Sequence, residues 1–147
     1  MKDIKLELID LLNEALKLEH AARIQYLSHA EVINGINAEK IIERLQEIAK
    51  DEEKHEEKFR KLIGSYLGGV PTMSLSETHF AKDINPILEI NLKGEKEAID
   101  FYQKIYRKVI DNKDKLQYIF ETLEHEIRHI ILDEEEHVTE LLLLLGK

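Results

Sequence analysis

The chain has no Cys and no Trp among its 147 residues. Without Cys there are no disulfides, no thiolate metal sites and no appended rubredoxin-like iron module. Helix breakers are scarce, with two Pro and six Gly. Leu, Ile, Lys and Glu dominate instead, which favours long helices over sheets. No apolar run approaches the ~18 residues of a membrane span, so no membrane partner is expected. The start, Met1-Lys2-Asp3-Ile4, has no signal-peptide core, and a cytoplasmic location is expected. Positive charge is also short. There are 21 Lys and Arg against 30 Asp and Glu, a net charge of −9, and no basic cluster, so nucleic acid is excluded as a partner held through a charged footprint. What remains is 43% apolar and 35% charged, enough for one domain over residues 1–147 with a real core.

Apolar residues recur at steps of three and four along four segments. Segment A, about 3–33, aligns Leu8, Leu12, Ala15, Glu19, Ala22, Tyr26 and Ile33. Segment B, about 38–66, aligns Ile41, Leu45, Ile48, Glu52, His55, Phe59 and Leu62. Segment C, about 86–110, aligns Leu88, Leu92, Glu95, Ala98, Tyr102 and Val109. Segment D, about 115–145, aligns Leu116, Phe120, Leu123, Ile127, Ile130, Glu134, His137, Leu141 and Leu144. The pattern predicts an all-α four-helix bundle. Asn34–Asn37 and Asp111–Asp114 read as the two short turns, and Asn85-Pro86 as a cap followed by a first-turn proline. Gly68-Gly69-Val70-Pro71 ends segment B, and a linker runs to about Ile84. Segment B would be roughly 40 Å long as a helix, and about 15 extended residues reach about 50 Å. A crossover along the whole bundle is therefore expected, with B parallel to C and the halves A–B and C–D related by a pseudo-twofold axis. Length alone also allows a plain up-down-up-down bundle.

The acids on these stripes form a repeat. Glu52-x-x-His55 and Glu134-x-x-His137 sit in nearly the same phrase, Asp51-Glu52-Glu53-Lys54-His55 and Asp133-Glu134-Glu135-Glu136-His137. A lone Glu precedes each, Glu19 and Glu95, and each lone Glu is followed seven residues later by a Tyr, Tyr26 and Tyr102. Four carboxylates and two imidazoles in duplicate match a known arrangement, the ligand set of a carboxylate-bridged dinuclear metal centre inside a four-helix bundle. Segment D holds a second motif, Glu126-x-x-His129, but this shares a polar face with Thr122, Asp133, Glu136 and Glu140. Glu134 and His137 share theirs with Ile127, Ile130 and Leu141, so they are the expected pair.

Energetics support the pattern. Four carboxylates in a bundle core repel and lose hydration, at several kcal/mol each on the order-of-magnitude scale, unless protonated or paired. No Lys or Arg lies on the stripes at their level. Two divalent cations would neutralise them. Glu52 and Glu134 are expected to bridge the ions, Glu19 and Glu95 to close each end, and His55 and His137 to take one ion each. Mixed oxygen and imidazole donors suit iron or manganese, and zinc can enter. The bland alternative is that these Glu residues are paired with other side chains or rotated into solvent. Asp51 is expected to accept a hydrogen bond from His137, and Asp133 from His55, fixing each imidazole tautomer. Tyr26 and Tyr102 are candidate catalytic residues, either bonded to a terminal carboxylate or supplying an electron; core filling is the plainer reading. His29 is expected to be packed, and His20, His79, His125 and His129 to lie on the surface. The apolar run Leu141–Leu145 points to a subunit interface rather than to the close of the core.

These residues resemble the ferritin-like superfamily, in particular its bacterioferritin and rubrerythrin branches. The marks are Glu19 with Tyr26, Asp51-Glu52-x-x-His55, Glu95-x-x-Ala98-x-x-x-Tyr102 and Asp133-Glu134-x-x-His137. The resemblance implies a di-iron site that reacts with O2 or H2O2, with Glu19, Glu52, His55, Glu95, Glu134 and His137 as metal ligands. Three departures sharpen the expectation. Bacterioferritins carry a haem-ligating Met directly after the first bridging Glu; here that position is Glu53, and no haem is expected there. Cage-forming relatives have a short fifth helix, and none is expected here. Rubrerythrins add a second Glu three residues from the first on the third helix, where this chain has Leu92 and Ala98. The expected function is a di-iron oxidoreductase of ferroxidase or peroxidase type, with an external electron-donor protein if a peroxidase, assembled as a homodimer. An iron store or carrier is the second expectation, and a structural metal-binding bundle without catalysis is the third.

Overall fold

A computed structural model describes residues 2–147. Four long helices carry the described chain, with no strands among the described residues: α1 (Ile4–Val32), α2 (Ala38–Lys61), α3 (Ile84–Asp111) and α4 (Phe120–Leu144). The Asp3 side chain caps α1 by accepting the Lys5 amide at 2.7 Å. Gly35 and Asn37 take left-handed conformations, φ 105° and 72°, and reverse the chain into α2. A π turn, Leu62–Tyr66, extends α2, and Gly68 stops it at φ 74°. Gly69 is required by contact: a Cβ there would stand 2.8 Å from Ile9 Cγ2.

Two boundaries differ from the sequence reading. Helix α3 starts earlier, capped at Asp83, so Pro86 lies inside its first turn, where a missing N–H costs no helical hydrogen bond. Helix α4 starts later, at Phe120 rather than about 115. A short 3₁₀ turn (Lys113–Lys115) and Tyr118 at φ 73° break the helix there, while Leu116, fully buried, keeps the connection on the core.

Long-range hydrogen bonds give the topology. Tyr26 bonds Glu95 and Tyr102 bonds Glu19, so α1 and α3 are antiparallel. Bonds of His55 to Asp133 and of His137 to Asp51 make α2 and α4 antiparallel. The short α1–α2 turn makes those two antiparallel, and α2 and α3 are therefore parallel. The crossover runs the length of the bundle beside α1, as its contacts record in order: Asn13 with Val70 and Thr72, Lys17 with Ser76, Gln25 and His29 with His79. This is the ferritin-like arrangement, and it excludes the plain up-down-up-down bundle.

The apolar core is in two parts. One contains Leu12, Leu16, Phe59, Ile105 and Ile127; the other contains Ala30, Leu45, Ile48, Leu88 and Leu141. Between them lies a buried polar layer. The run Leu141–Leu145 mainly closes the second part, contrary to the interface reading: Leu141 is fully buried, Leu142, Leu144 and Leu145 pack against the core, and only Leu143 is well exposed, at 72%. Among the described residues no helix is long and apolar enough to cross a membrane.

Candidate metal centre

Each helix contributes the residue its stripe predicted. Glu19 from α1, Glu52 and His55 from α2, Glu95 from α3, and Glu134 and His137 from α4 are all buried, none more than 3% exposed. Their donor atoms form two overlapping groups, Glu19, Glu52, His55, Glu134 and Glu52, Glu95, Glu134, His137, each with all donors within 4.8 Å of one another. Glu52 and Glu134 belong to both groups, as bridging ligands must; Glu19 and Glu95 each close one end.

The second layer is as regular. His55 Nε2 donates to Asp133 Oδ2 at 2.8 Å, and His137 Nε2 to Asp51 Oδ2 at 2.9 Å. With Nε2–H committed outward, Nδ1 of each ring faces the carboxylates and would offer its lone pair to a metal that displaces the Nδ1 proton. Tyr26 Oη donates to Glu95 Oε1 and Tyr102 Oη to Glu19 Oε1, each at 2.7 Å. The tyrosines thus reach across to the lone Glu of the other half.

The fit to metal rests on what is left over. Glu19 Oε2, Glu52 Oε1, His55 Nδ1, Glu95 Oε2, Glu134 Oε1 and His137 Nδ1 are all buried without a hydrogen-bond partner. That is one orphaned atom from each of six residues, all facing one another. Buried polar groups normally find partners, and two cations at the centre would supply them. The charges show the same strain. Burial, then the charges of Glu19 and Glu95, hold the Glu52 carboxyl well above the usual carboxylate range. Burial and the charges of Glu52 and Glu95 do the same to Glu134. Glu95 differs from these two. Burial pushes it up, but the neighbouring His137 and Glu134 and the Tyr26 hydroxyl outweigh burial and hold it low. Burial drives His137 toward neutrality, yet Asp51 and Glu95 outweigh it and push the imidazole up to about 11. His55 is raised in the same way by Glu19, Asp133 and Glu134. Burial first, then the nearby carboxylates, raise both Tyr hydroxyls, which therefore remain donors at neutral pH.

A cavity of about 680 Å³ opens between α1, α3 and the crossover and reaches Tyr26, Glu52, Glu95 and Glu134. Its walls include Ala22, Gly94 and Ala98, and crossover residues Ser76–Phe80 border its mouth. The crossover is fixed there by a closed ring of hydrogen bonds. His79 N–H donates to Gln25 Oε1 (2.7 Å), Gln25 Nε2 to Asn91 Oδ1 (2.9 Å), Asn91 Nδ2 to His29 Nδ1 (2.9 Å), and His29 Nε2 to His79 O (2.9 Å). Because it begins on the N–H and ends on the C=O of one residue, His79, every amide orientation and the His29 tautomer are determined.

Sequence reasoning anticipated that His29 is packed but missed its ring partners Gln25 and Asn91. It also missed Glu56, which is 3% exposed and pairs with Arg23, with His20 at 3.5 Å and with Arg60 at 3.8 Å. The signal was available, since Glu56 lies four residues after Glu52 and three before Phe59, on the buried stripe. His20, read as a surface residue, is half-buried through that contact. Glu126 lies outside the centre, 3.3 Å from Lys58.

Fold and donor set together define a four-helix bundle with a buried group of carboxylates and imidazoles that could hold metal ions. The family profile described as Ferritin, Ferritin-like domain, matches residues 9–147, and the chain belongs to that family. A protein named bacterial ferritin from Neisseria meningitidis serogroup B is 34% identical over 96 residues; the match covers 65% of this chain and only 62% of that protein. A bacterioferritin from Brucella melitensis biotype 1 is 28% identical over 133 residues, 90% of this chain and 78% of that one. A solved ferritin-like, diiron-carboxylate protein from Bacillus anthracis strain Ames superposes with a TM-score of 0.89 at 29% identity, covering 99% of each chain.

Proposed function

We propose that this chain is a di-iron carboxylate oxidoreductase that oxidises Fe(II) with O2 or H2O2. The single observation that carries the reading is the set of six orphaned donor atoms, one from each of Glu19, Glu52, His55, Glu95, Glu134 and His137. A bound iron pair would supply one-electron redox chemistry at each ion. Two electrons from two Fe(II), with two protons, reduce one H2O2 to two waters or one O2 to H2O2. The protein's own share is positional. Glu52 and Glu134 would hold the ions together, and Asp51 and Asp133 keep each imidazole turned with Nδ1 inward. Tyr26 and Tyr102 fix the terminal carboxylates and place a phenol beside each, close enough to supply an electron. The apolar core above and below limits water and radical escape.

The partners proposed are Fe(II) and a small oxidant, with a donor protein if peroxide is the substrate; a homodimer is proposed as the assembly. No haem is proposed next to Glu52, because Glu53 is an exposed carboxylate. The test is an anaerobic Fe(II) titration of metal-free protein, followed spectroscopically through exposure to air. Two Fe(II) per chain and then a new near-ultraviolet oxo-ferric band are expected; no binding above background would end the reading. A second reading, an iron store or carrier, is supported by the bacterial ferritin and bacterioferritin names of the relatives. Size in solution separates the two, because a small oligomer cannot enclose a mineral.

A further inference from the structure

Helix α4 carries a second metal-ligating pattern that the centre does not use. His125-Glu126-Ile127-Arg128-His129 has the His-Glu-x-x-His spacing with which a helix presents two imidazoles on one face. The two rings already lie side by side, with centroids 4.1 Å apart and planes 31° from parallel. An ion with two metal–nitrogen bonds of about 2.0–2.1 Å needs its two nitrogens about 3 Å apart. The rings must turn out of this stacked pose for their in-plane lone pairs to converge on one ion. His125 is exposed and His129 half-exposed, and no hydrogen bond among the described residues holds either ring in place. Carboxylates continue the strip at the same four-residue step: Glu121 one turn before His125, and Asp133 one turn after His129.

We propose that His125 and His129 form a separate, mononuclear site for a divalent transition metal of the class imidazole favours, such as Co(II), Ni(II), Cu(II) or Zn(II). The ion is held by two ring nitrogens, with water and the flanking carboxylates completing its shell. The site binds and does not hydrolyse. In a His-Glu-x-x-His hydrolase the Glu works beside the ion, whereas Glu126 is turned toward Lys58 of α2, 3.3 Å away. The position also matters. Asp133, one turn from His129, accepts the Nε2–H of His55, whose Nδ1 faces the four carboxylates. The pair therefore lies at the outer end of a line of donors running from the surface of α4 to the centre, where an arriving ion is held before entry. This staging role rests on the di-iron reading; the binding does not. The other half has no such pair, because Glu43 and Glu47 occupy the equivalent positions on α2.

The test titrates metal-free, full-length protein with Co(II) and follows visible absorption and the histidine ring resonances. Wild type is expected to take three ions per chain, with His125 and His129 resonances shifting as one set. The surface double variant His125→Gln/His129→Gln should keep its helical circular dichroism and lose one ion, and Glu126→Gln should lose none. The variant Glu52→Ala/Glu134→Ala should keep only the ion at the His pair. If the double His variant binds as many ions as wild type, the site is overturned. If the Glu variant loses nothing, the fault lies with the central reading. Slower filling of the centre in the double His variant is the expected sign of staging, and an unchanged rate overturns that role.

Discussion

The two halves of the bundle match at the centre and diverge one turn away from it. Glu19, Tyr26, Glu52 and His55 correspond to Glu95, Tyr102, Glu134 and His137, with the same partners at nearly the same distances. Beyond them the correspondence changes character. The half-buried Arg23 and the buried Glu56 form an ion pair in the first half, while Ile99 and Val138 take the equivalent places in the second. Gln25, His29 and Asn91 form the ring that pins the crossover, and their counterparts are Phe101, Ile105 and Ala15, all packed in or against the apolar core. Symmetry is kept at the six candidate ligands. The ring lies on the side where the crossover and the cavity mouth lie, so a polar network borders the opening toward the centre.

The largest effects should come from breaking what the halves share. Glu52→Ala or Glu134→Ala removes a donor from both ligand groups and should abolish binding of both ions. Loss of an outer partner alone costs about 10–100-fold in affinity, and a shared ligand exceeds that. Glu19→Ala or Glu95→Ala should cost mainly one ion, so stoichiometry by iron titration distinguishes the two classes. Equal losses from all four variants would contradict the bridging assignment. Next in size is the buried pair. Arg23→Ile leaves the buried Glu56 with only His20 and Arg60 and should cost about 1–3 kcal/mol, since removing one partner is worse than removing both. Arg23→Ile/Glu56→Val, which copies the second half, should return most of that in urea unfolding. If the double variant is as unstable as the single, the pair does more than neutralise itself.

Metal removal should act more gently and with a defined pH dependence. Glu52 and Glu134 bind protons more tightly in the metal-free fold than in the unfolded chain. Their contribution is therefore intact below the ordinary Glu value of about 4.3 and is lost as pH rises through their elevated values. Metal replaces those protons. The gain in Tm on adding metal should grow from acid toward neutral pH, with proton release on binding. A gain independent of pH would show that the carboxylates are already ionised and otherwise satisfied.

The sequence made the centre legible because its signal is duplicated and local. Each motif fits within one helical turn or two, and charge on an apolar stripe has few explanations. The helices and the lengthwise crossover were legible for similar reasons, through periodicity and reach. The start of α4 was not, because Tyr118 adopts a left-handed conformation that its residue type gives no reason to expect. Glu56 was overlooked because its explanation, Arg23, sits on another helix. The ring was invisible for the same reason: Gln25, His29, His79 and Asn91 come from three elements, and one of their partners is a backbone peptide. Pairings across elements become visible only once the elements are placed.

The smallest effect, and the one that most sharpens the contrast between the halves, concerns His29. Burial, the largest influence, lowers its pKa, and the charge of His79 adds to this. The geometry explains why a proton is unwelcome: Nε2 already donates to His79 O, and Nδ1 accepts from an Asn91 amide that cannot turn without breaking the rest of the ring. A depressed folded-state pKa means that the unfolded chain takes the proton first. The ring's contribution is therefore complete above the unfolded value of about 6.5 and is lost as pH falls through it toward the lower folded value. The variant Gln25→Phe/His29→Ile/Asn91→Ala gives the crossover side the residues of the opposite side and removes this titration. The difference in Tm between wild type and variant should therefore move against wild type as the solution is acidified from pH 7 to 5, while protection of the His79 amide in wild type weakens over the same range. A difference that stays constant with pH would mean that His29 does not titrate in this window, and that the two sides of the bundle differ in packing alone.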